Sequence, residues 1–393
     1  MMTLPSVHLP AGLPPLDDAV REHGHHVRDM LAQRITAAGG WLPFEHWMQA
    51  ALYEPGLGYY SAGSTKLHQG GDFTTAPETS PLFGQALARQ IAEILAAARS
   101  STVLEFGAGS GTLAAAVMPA LRDLGIDANY RILELSADLR ARQQARLASW
   151  GNRVQWLDAL PHAFTGCVVA NEVLDAMPAI LFQWTEAGTP ALLGVAMDAR
   201  PDASAPFRWM LRDAPPATSA AIADRMPPLP GYRSELNPQA EAWVRNLGLW
   251  LEKGAALLID YGFPRREYYH PQRTQGTLMC HFRHHAHDQP LVLAGLQDIT
   301  AHVDFTAMAD AALDGGLDVL GYTSQARFLM NAGLTDLIRA PGDAPALRAR
   351  QLTALNTLLS EAEMGELFKV LAVGRGITPP LLGFTRGDRR DRL

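Results

Sequence analysis

Five residues, Gly107-Ala108-Gly109-Ser110-Gly111, follow the short apolar run Thr102-Val103-Leu104-Glu105-Phe106 and precede a helical pattern starting at Leu113. A strand that turns this sharply into a helix needs glycine, and the N–H groups at the helix start suit a carboxylate or a phosphate. A dinucleotide fingerprint places its third glycine five residues after the first. Here Thr112 holds that position and the glycine comes one residue earlier, at Gly111. That spacing disfavours a pyrophosphate site and favours a methyltransferase-type loop, with Glu105 just upstream. Two acids follow in order. Glu134, in Leu133-Glu134-Leu135-Ser136, ends a second strand where its two oxygens could accept both hydroxyls of a ribose. Asp158 ends a third strand and suits an adenine amino group. Taken singly, each acid is equally well a solvated loop residue or a helix cap. In sequence after the glycine loop they describe a nucleoside site that includes Leu135 and Ser136.

A third group, Asn171-Glu172-Val173-Leu174-Asp175, follows the apolar run Cys167-Val168-Val169-Ala170. In a parallel sheet the carboxyl ends of the central strands face the ligand crevice. Asn171 offers a carbonyl and Glu172 a carboxylate, which could hold a nucleophilic nitrogen and take its proton, assisted by Asp175. The plainer reading has Glu172 and Asp175 capping the next helix. Asp260-Tyr261-Gly262, after the run Ala256-Leu257-Leu258-Ile259, repeats the pattern less fully.

The elements that position these groups alternate. Strand patterns at 102–106, 130–135, 154–157, 167–170 and 256–259 are separated by helices over 113–124 and 136–150, which predicts an α/β fold with a mostly parallel sheet. Upstream, helices are expected over 17–38, 43–52 and 80–99, the last opening on Ser80 and Pro81. We expect residues 1–100 to form an N-terminal helical lobe, and 101–376 a core with insertions at about 185–250 and 262–300. Residues 185–235 look irregular, and the tail after 377 looks loose. Strand pattern returns at 317–321 and 368–373.

Of the 393 residues, 48% are hydrophobic and 19% charged, which predicts a packed globular chain. A net charge of -7 supplies no basic field, so nucleic acid is not an expected partner. Two cysteines allow no disulfide framework. No apolar run approaches the roughly 18 residues of a membrane span, and the N-terminus has neither signal- nor transit-peptide character, so a cytoplasmic location is expected.

The chain resembles the MidA/NDUFAF7-type methyltransferases from about residue 30 to 376. The resemblance rests on Tyr53-Glu54-Pro55-Gly56-Leu57-Gly58-Tyr59-Tyr60, Gly71-Asp72-Phe73-Thr74-Thr75-Ala76-Pro77-Glu78, the run Glu105 to Gly111, Asn171 to Ala176, Asp260-Tyr261-Gly262 and His302-Val303-Asp304-Phe305-Thr306. It implies a class I, Rossmann-like methyltransferase core using S-adenosyl-L-methionine, with the N-terminal lobe over the cofactor and Gly71, Asp72, Phe73 and Thr74 closing on it. It also implies methylation of an arginine in a protein, a respiratory complex subunit in the mitochondrial members. A homodimer stays open. So do a small-molecule or nucleic-acid methyltransferase and a non-catalytic assembly protein. The cluster His281, His284, His285 and His287 has no helical ligand spacing, so no metal is expected, and one of these histidines could act as a base.

Overall fold

Val, Ile, Leu and Ala dominate the runs that read as strands, and each is bounded by glycine or a capping residue, which suits strands buried on both faces. The computed structural model describes residues 4–62, 75–199, 205–338 and 345–393, and the chain divides into two compact units.

One unit comprises residues 74–175, 241–264 and 303–393. Its seven main strands, numbered within this sheet, are β1 (Thr102–Phe106), β2 (Asn129–Leu133), β3 (Val154–Leu157), β4 (Phe164–Asn171), β5 (Leu251–Phe263), β6 (Asp318–Ser324) and β7 (Phe368–Arg375). Their order is β3-β2-β1-β4-β5-β7-β6, and the short strand Val303–Asp304 pairs with the end of β5. Neighbours from β3 through β5 run parallel, whereas β7 is antiparallel to both β5 and β6. The order reverses between β1 and β4, with Phe106 opposite Ala170. At such a switch point, connections leave in opposite directions and open a crevice at the strands' carboxyl ends. The glycine loop and Asn171-Glu172 both leave from there.

Helix Pro81–Ala98 begins as its sequence dictates, with the Ser80 hydroxyl accepting from Leu82 N–H and proline in the first turn. It buries Leu87, Ile91, Ile94 and Leu95 in one core with Val103, Ile132, Val169 and Leu257. This helix therefore belongs to the nucleoside unit, which corrects the expected lobe boundary at residue 100. Burial of its apolar face, rather than position in the chain, decides membership. The tail is also corrected. Phe384 is buried, Asp388 accepts from Tyr322 N–H, and Arg390 donates to Val319 O, so the residues after 377 are anchored rather than loose.

The other unit comprises residues 1–73, 176–240 and 265–302. Helices Asp18–Ala37 and Phe44–Tyr53 bury Leu31, Ile35, Trp47 and Met48 together with Leu181, Leu193 and Trp209. Those last three residues come from a five-stranded antiparallel sheet made by Leu42–Pro43, Ile180–Trp184, Pro190–Met197, Phe207–Asp213 and Arg233–Leu236. The stretch expected to be irregular, 185–235, thus carries regular strands, because alternate side chains there pack onto the two N-terminal helices. Met279–Phe282, His285–His287 and Asp298–Thr300 form a separate three-stranded sheet. No helix among the described residues is long and apolar enough to cross a membrane.

Candidate functional site

The glycine loop requires its glycines. Gly107, Gly109 and Gly111 all lie at positive φ, at 59°, 53° and 78°, a region that other residues occupy at a cost. Among the described residues a Cβ on Gly109 would meet nothing within 4 Å, so the loop presents bare backbone there. Gly111 is the N-cap of helix Thr112–Asp123 and provides no side-chain cap, so the first-turn N–H groups can donate to an anion.

Glu134 follows β2 directly. Its Oε1 accepts from Ser136 N–H at 2.9 Å and its Oε2 from the Gln143 side-chain amide at 2.9 Å. Burial raises its pKa, and these donors hold the carboxylate against that rise. Ser136 is buried and caps helix Ala137–Leu147 through Leu139 N–H, while Leu135 is 82% exposed. Asp158, expected near an adenine amino group, is largely exposed and pairs with Arg140 at 2.5 Å. Ala108 is buried. Gly71, Asp72, Phe73 and Thr74 lie outside the described residues.

Glu105 points into the core, where it accepts from the Tyr130 hydroxyl at 2.8 Å. Burial, opposed by that bond and aided by the nearby Glu134 charge, lifts its pKa to about 7 from 4.5. A carboxyl raised in this way stabilises the fold fully below pH 4.5, and that stability is lost as pH rises through 7. Glu105→Gln, which keeps an acceptor for Tyr130, should therefore flatten the pH dependence of the melting temperature between pH 5 and 8. The gain over wild type should reach at most roughly 3 kcal/mol at pH 8. Parallel melting curves for the two apo proteins across that range would sink the assignment.

At the end of β4, Glu172 occupies left-handed backbone at φ 54°, and its N–H donates to Ile259 O on β5 at 2.9 Å. A non-glycine residue held there indicates a side chain that must point a particular way. Asn171 donates its amide nitrogen to Glu172 Oε1 at 2.9 Å. A carboxylate only accepts, so the Asn171 amide orientation is set. Its buried Oδ1 then faces away and has no hydrogen-bond partner among the described residues. Asp260, at the matching point of β5, is fully buried. Its Oδ2 accepts from Leu174 and Asp175 N–H at 2.9 and 3.2 Å, and its Oδ1 from Tyr261 N–H. Burial, then the charge of Glu172, raises Asp260 to about 8. The pair therefore holds on to a proton near neutral pH. Asp175 is buried, and its N–H donates to Asp260 Oδ2.

Two participants escaped the sequence reading. Gln143 and Trp156 join the glycine loop to Glu134, and the only signal in the chain was a glutamine on the buried face of helix Ala137–Leu147. The histidines at 281–287 lie in the other unit. His285 is exposed, and burial lowers the pKa of half-buried His287. Among the described residues no group of three or more His, Cys, Asp or Glu is placed to hold a metal ion.

A switch-point crevice, an uncapped glycine turn and a strand-end acid suited to a ribose define a nucleoside-dependent enzyme of the class I methyltransferase type. Residues 86–323 match a family model described as "Putative S-adenosyl-L-methionine-dependent methyltransferase", and the chain belongs to that family. A crystal structure from Burkholderia thailandensis, described as a "likely methyl transferase" bound to S-adenosyl-homocysteine, is 47% identical, with a TM-score of 0.91, covering 97% of this chain and 100% of that one. Mitochondrial protein arginine methyltransferase NDUFAF7 of Danio rerio is 29% identical over 87% of this chain and 85% of its own length. The Homo sapiens protein of the same name is 28% identical over 87% and 82%. The protein is an S-adenosyl-L-methionine-dependent methyltransferase. The cytoplasmic location expected from the sequence does not stand, because these relatives are named as mitochondrial.

Proposed function

We propose that the protein methylates an arginine side chain of a protein partner, with Glu172 accepting the guanidinium proton. The observation that carries this reading is Glu172 itself, held at positive φ at the end of β4 with Asn171 and Asp260 ordered around it. The names of the curated relatives support it.

S-adenosyl-L-methionine supplies an electrophilic methyl on a sulfonium, and displacement leaves the thioether and one proton. A guanidinium is protonated at pH 7 and must lose that proton to attack. A carboxylate matches its forked N–H groups, fixes one nitrogen and takes the proton. Asn171, whose amide nitrogen donates to Glu172 Oε1, orients that carboxylate. On the cofactor side, Glu134 is assigned to the ribose hydroxyls, Asp158 and Leu135 to the base, and the loop of Gly107, Ala108, Gly109 and Gly111 with the helix start to the amino-acid end. Glu105 and Ser136 act from behind these groups. Asp175 supports the turn after Glu172. The N-terminal residues and the insertions, which build a unit with its own core, are assigned to partner recognition. A subunit of a respiratory complex fits the company of the mitochondrial relatives, and a homodimer is compatible with the reading.

Incubation of the protein with radiolabelled S-adenosyl-L-methionine and a lysate, followed by fractionation and acid hydrolysis, tests this. Label should appear as methylarginine in the protein fraction. Label confined to RNA or to small metabolites would overturn the substrate class while leaving the methyltransferase standing.

A further inference from the structure

We propose that Gln143 is the positioning residue of the nucleoside site, locking the glycine loop and the Glu134 carboxylate into one rigid cradle. The inference rests on assigning Glu134 to the ribose.

Gln143 is completely buried in helix Ala137–Leu147, a place where an unsatisfied amide would be costly. Among the described residues, each side-chain hydrogen bond it makes goes to a different part of the cradle. Its amide nitrogen donates to Gly109 O at 2.9 Å and to Glu134 Oε2 at 2.9 Å. Its carbonyl accepts from the Trp156 indole N–H, on β3, at 2.9 Å. The indole can only donate, so the Gln143 oxygen must face β3, and both N–H groups must face the loop and the acid. No other orientation satisfies the set. Three segments distant in sequence are thereby tied through one planar group: the turn after β1, the end of β2 and the end of β3. Gly111 lies against the same side chain, where a Cβ would be in ordinary van der Waals contact with Gln143 Cγ at 3.4 Å, and its positive φ of 78° is what favours glycine there.

The arrangement does two things for a ligand. The bond to Gly109 O pins the peptide whose neighbouring Cα is bare. The bond to Oε2, with Ser136 N–H on Oε1, fixes the plane of the carboxylate, so its orientation is settled before a diol arrives. A ligand that meets a preset carboxylate loses less ordering entropy on binding. Gln143 touches no reacting atom, and its effect should therefore fall on cofactor affinity rather than on turnover.

The test uses the full chain, calorimetric titration with S-adenosylhomocysteine, and steady-state kinetics with S-adenosyl-L-methionine. Gln143→Met, which keeps the volume and removes the amide, should raise Kd and the cofactor KM by roughly ten- to hundredfold, with kcat changed less than about threefold. Trp156→Phe, a milder change that leaves Gln143 in place but releases its carbonyl, should raise Kd by a smaller factor, and it covers the case in which Gln143→Met does not fold. Glu134→Ala should weaken binding, and the double variant with Gln143→Met should be scarcely weaker than Glu134→Ala alone, because the two act as one unit. Glu134→Ala with wild-type affinity would overturn the ribose assignment. With that penalty present, wild-type affinity in Gln143→Met or Trp156→Phe, a loss confined to kcat, or fully additive penalties would overturn the role of Gln143.

Discussion

Glu172→Gln should lower kcat by roughly 10²- to 10⁴-fold, the range expected when a general base is removed, while S-adenosylhomocysteine binds within about threefold of wild type. The isosteric amide keeps a donor and an acceptor beside Asn171 but takes no proton from a guanidinium. Glu172→Gly separates chemistry from fold. It should be as inactive, yet it relieves the positive φ of 54°, a strain of about 1 kcal/mol, so its melting temperature should not fall. The pH profile gives an independent reading. The base works deprotonated, and the Asp260–Glu172 pair sheds its shared proton at about 8, the value to which burial and the Glu172 charge raise Asp260. Wild-type kcat should therefore climb with pH and level off above about 8. Loss of cofactor binding in Glu172→Gln, with turnover intact at saturating cofactor, would place Glu172 in the wrong role.

Gly109→Val should abolish detectable S-adenosylhomocysteine binding while the protein stays folded. A Cβ at Gly109 meets none of the described residues within 4 Å, so among them the cost to the fold is the backbone strain of a β-branched residue at φ 53°, about 1–2 kcal/mol. The same bare face is where the ligand must approach the loop, and there the isopropyl group stands in the way. Gly109→Ala should fall between the two proteins. Calorimetry and a thermal melt of each variant decide the matter, and a Gly109→Val protein that binds normally would move the cofactor away from this loop.

The strand–helix alternation from Thr102 to Asn171 was legible because it is local. Runs of β-branched and aliphatic residues ending in glycine, and capped helices of ordinary length, carry their instructions within ten to twenty residues. The order Gly107, Glu134, Asp158, Asn171-Glu172 pointed to the carboxyl edge of a parallel sheet for the same reason, since each residue ends a strand. The antiparallel sheet built from 42–43, 180–184, 190–197, 207–213 and 233–236 was not legible. One of its pairings, Leu42 with Val195, spans more than a hundred residues and another, Ile180 with Leu236, more than fifty, and the strands' periodicity is interrupted by Pro and Gly, which read locally as loop.

What the chain determined by itself was the nucleoside loop and the acids that follow it, because a positive-φ turn admits little but glycine and a diol suits a carboxylate. The tertiary structure alone decided which polar groups stand behind them. Helix Pro81–Ala98 joined the nucleoside core through the apolar face that it buries there. The tail was anchored by Phe384 and Asp388, which only a folded β6 can receive. Asp260 came to face the Glu172 turn, and Gln143 came to join the ends of three strands. A hydrogen bond between residues far apart in sequence leaves no periodic trace in either segment. It exists only once packing has brought the two within 3 Å and removed the water that would otherwise have taken its place.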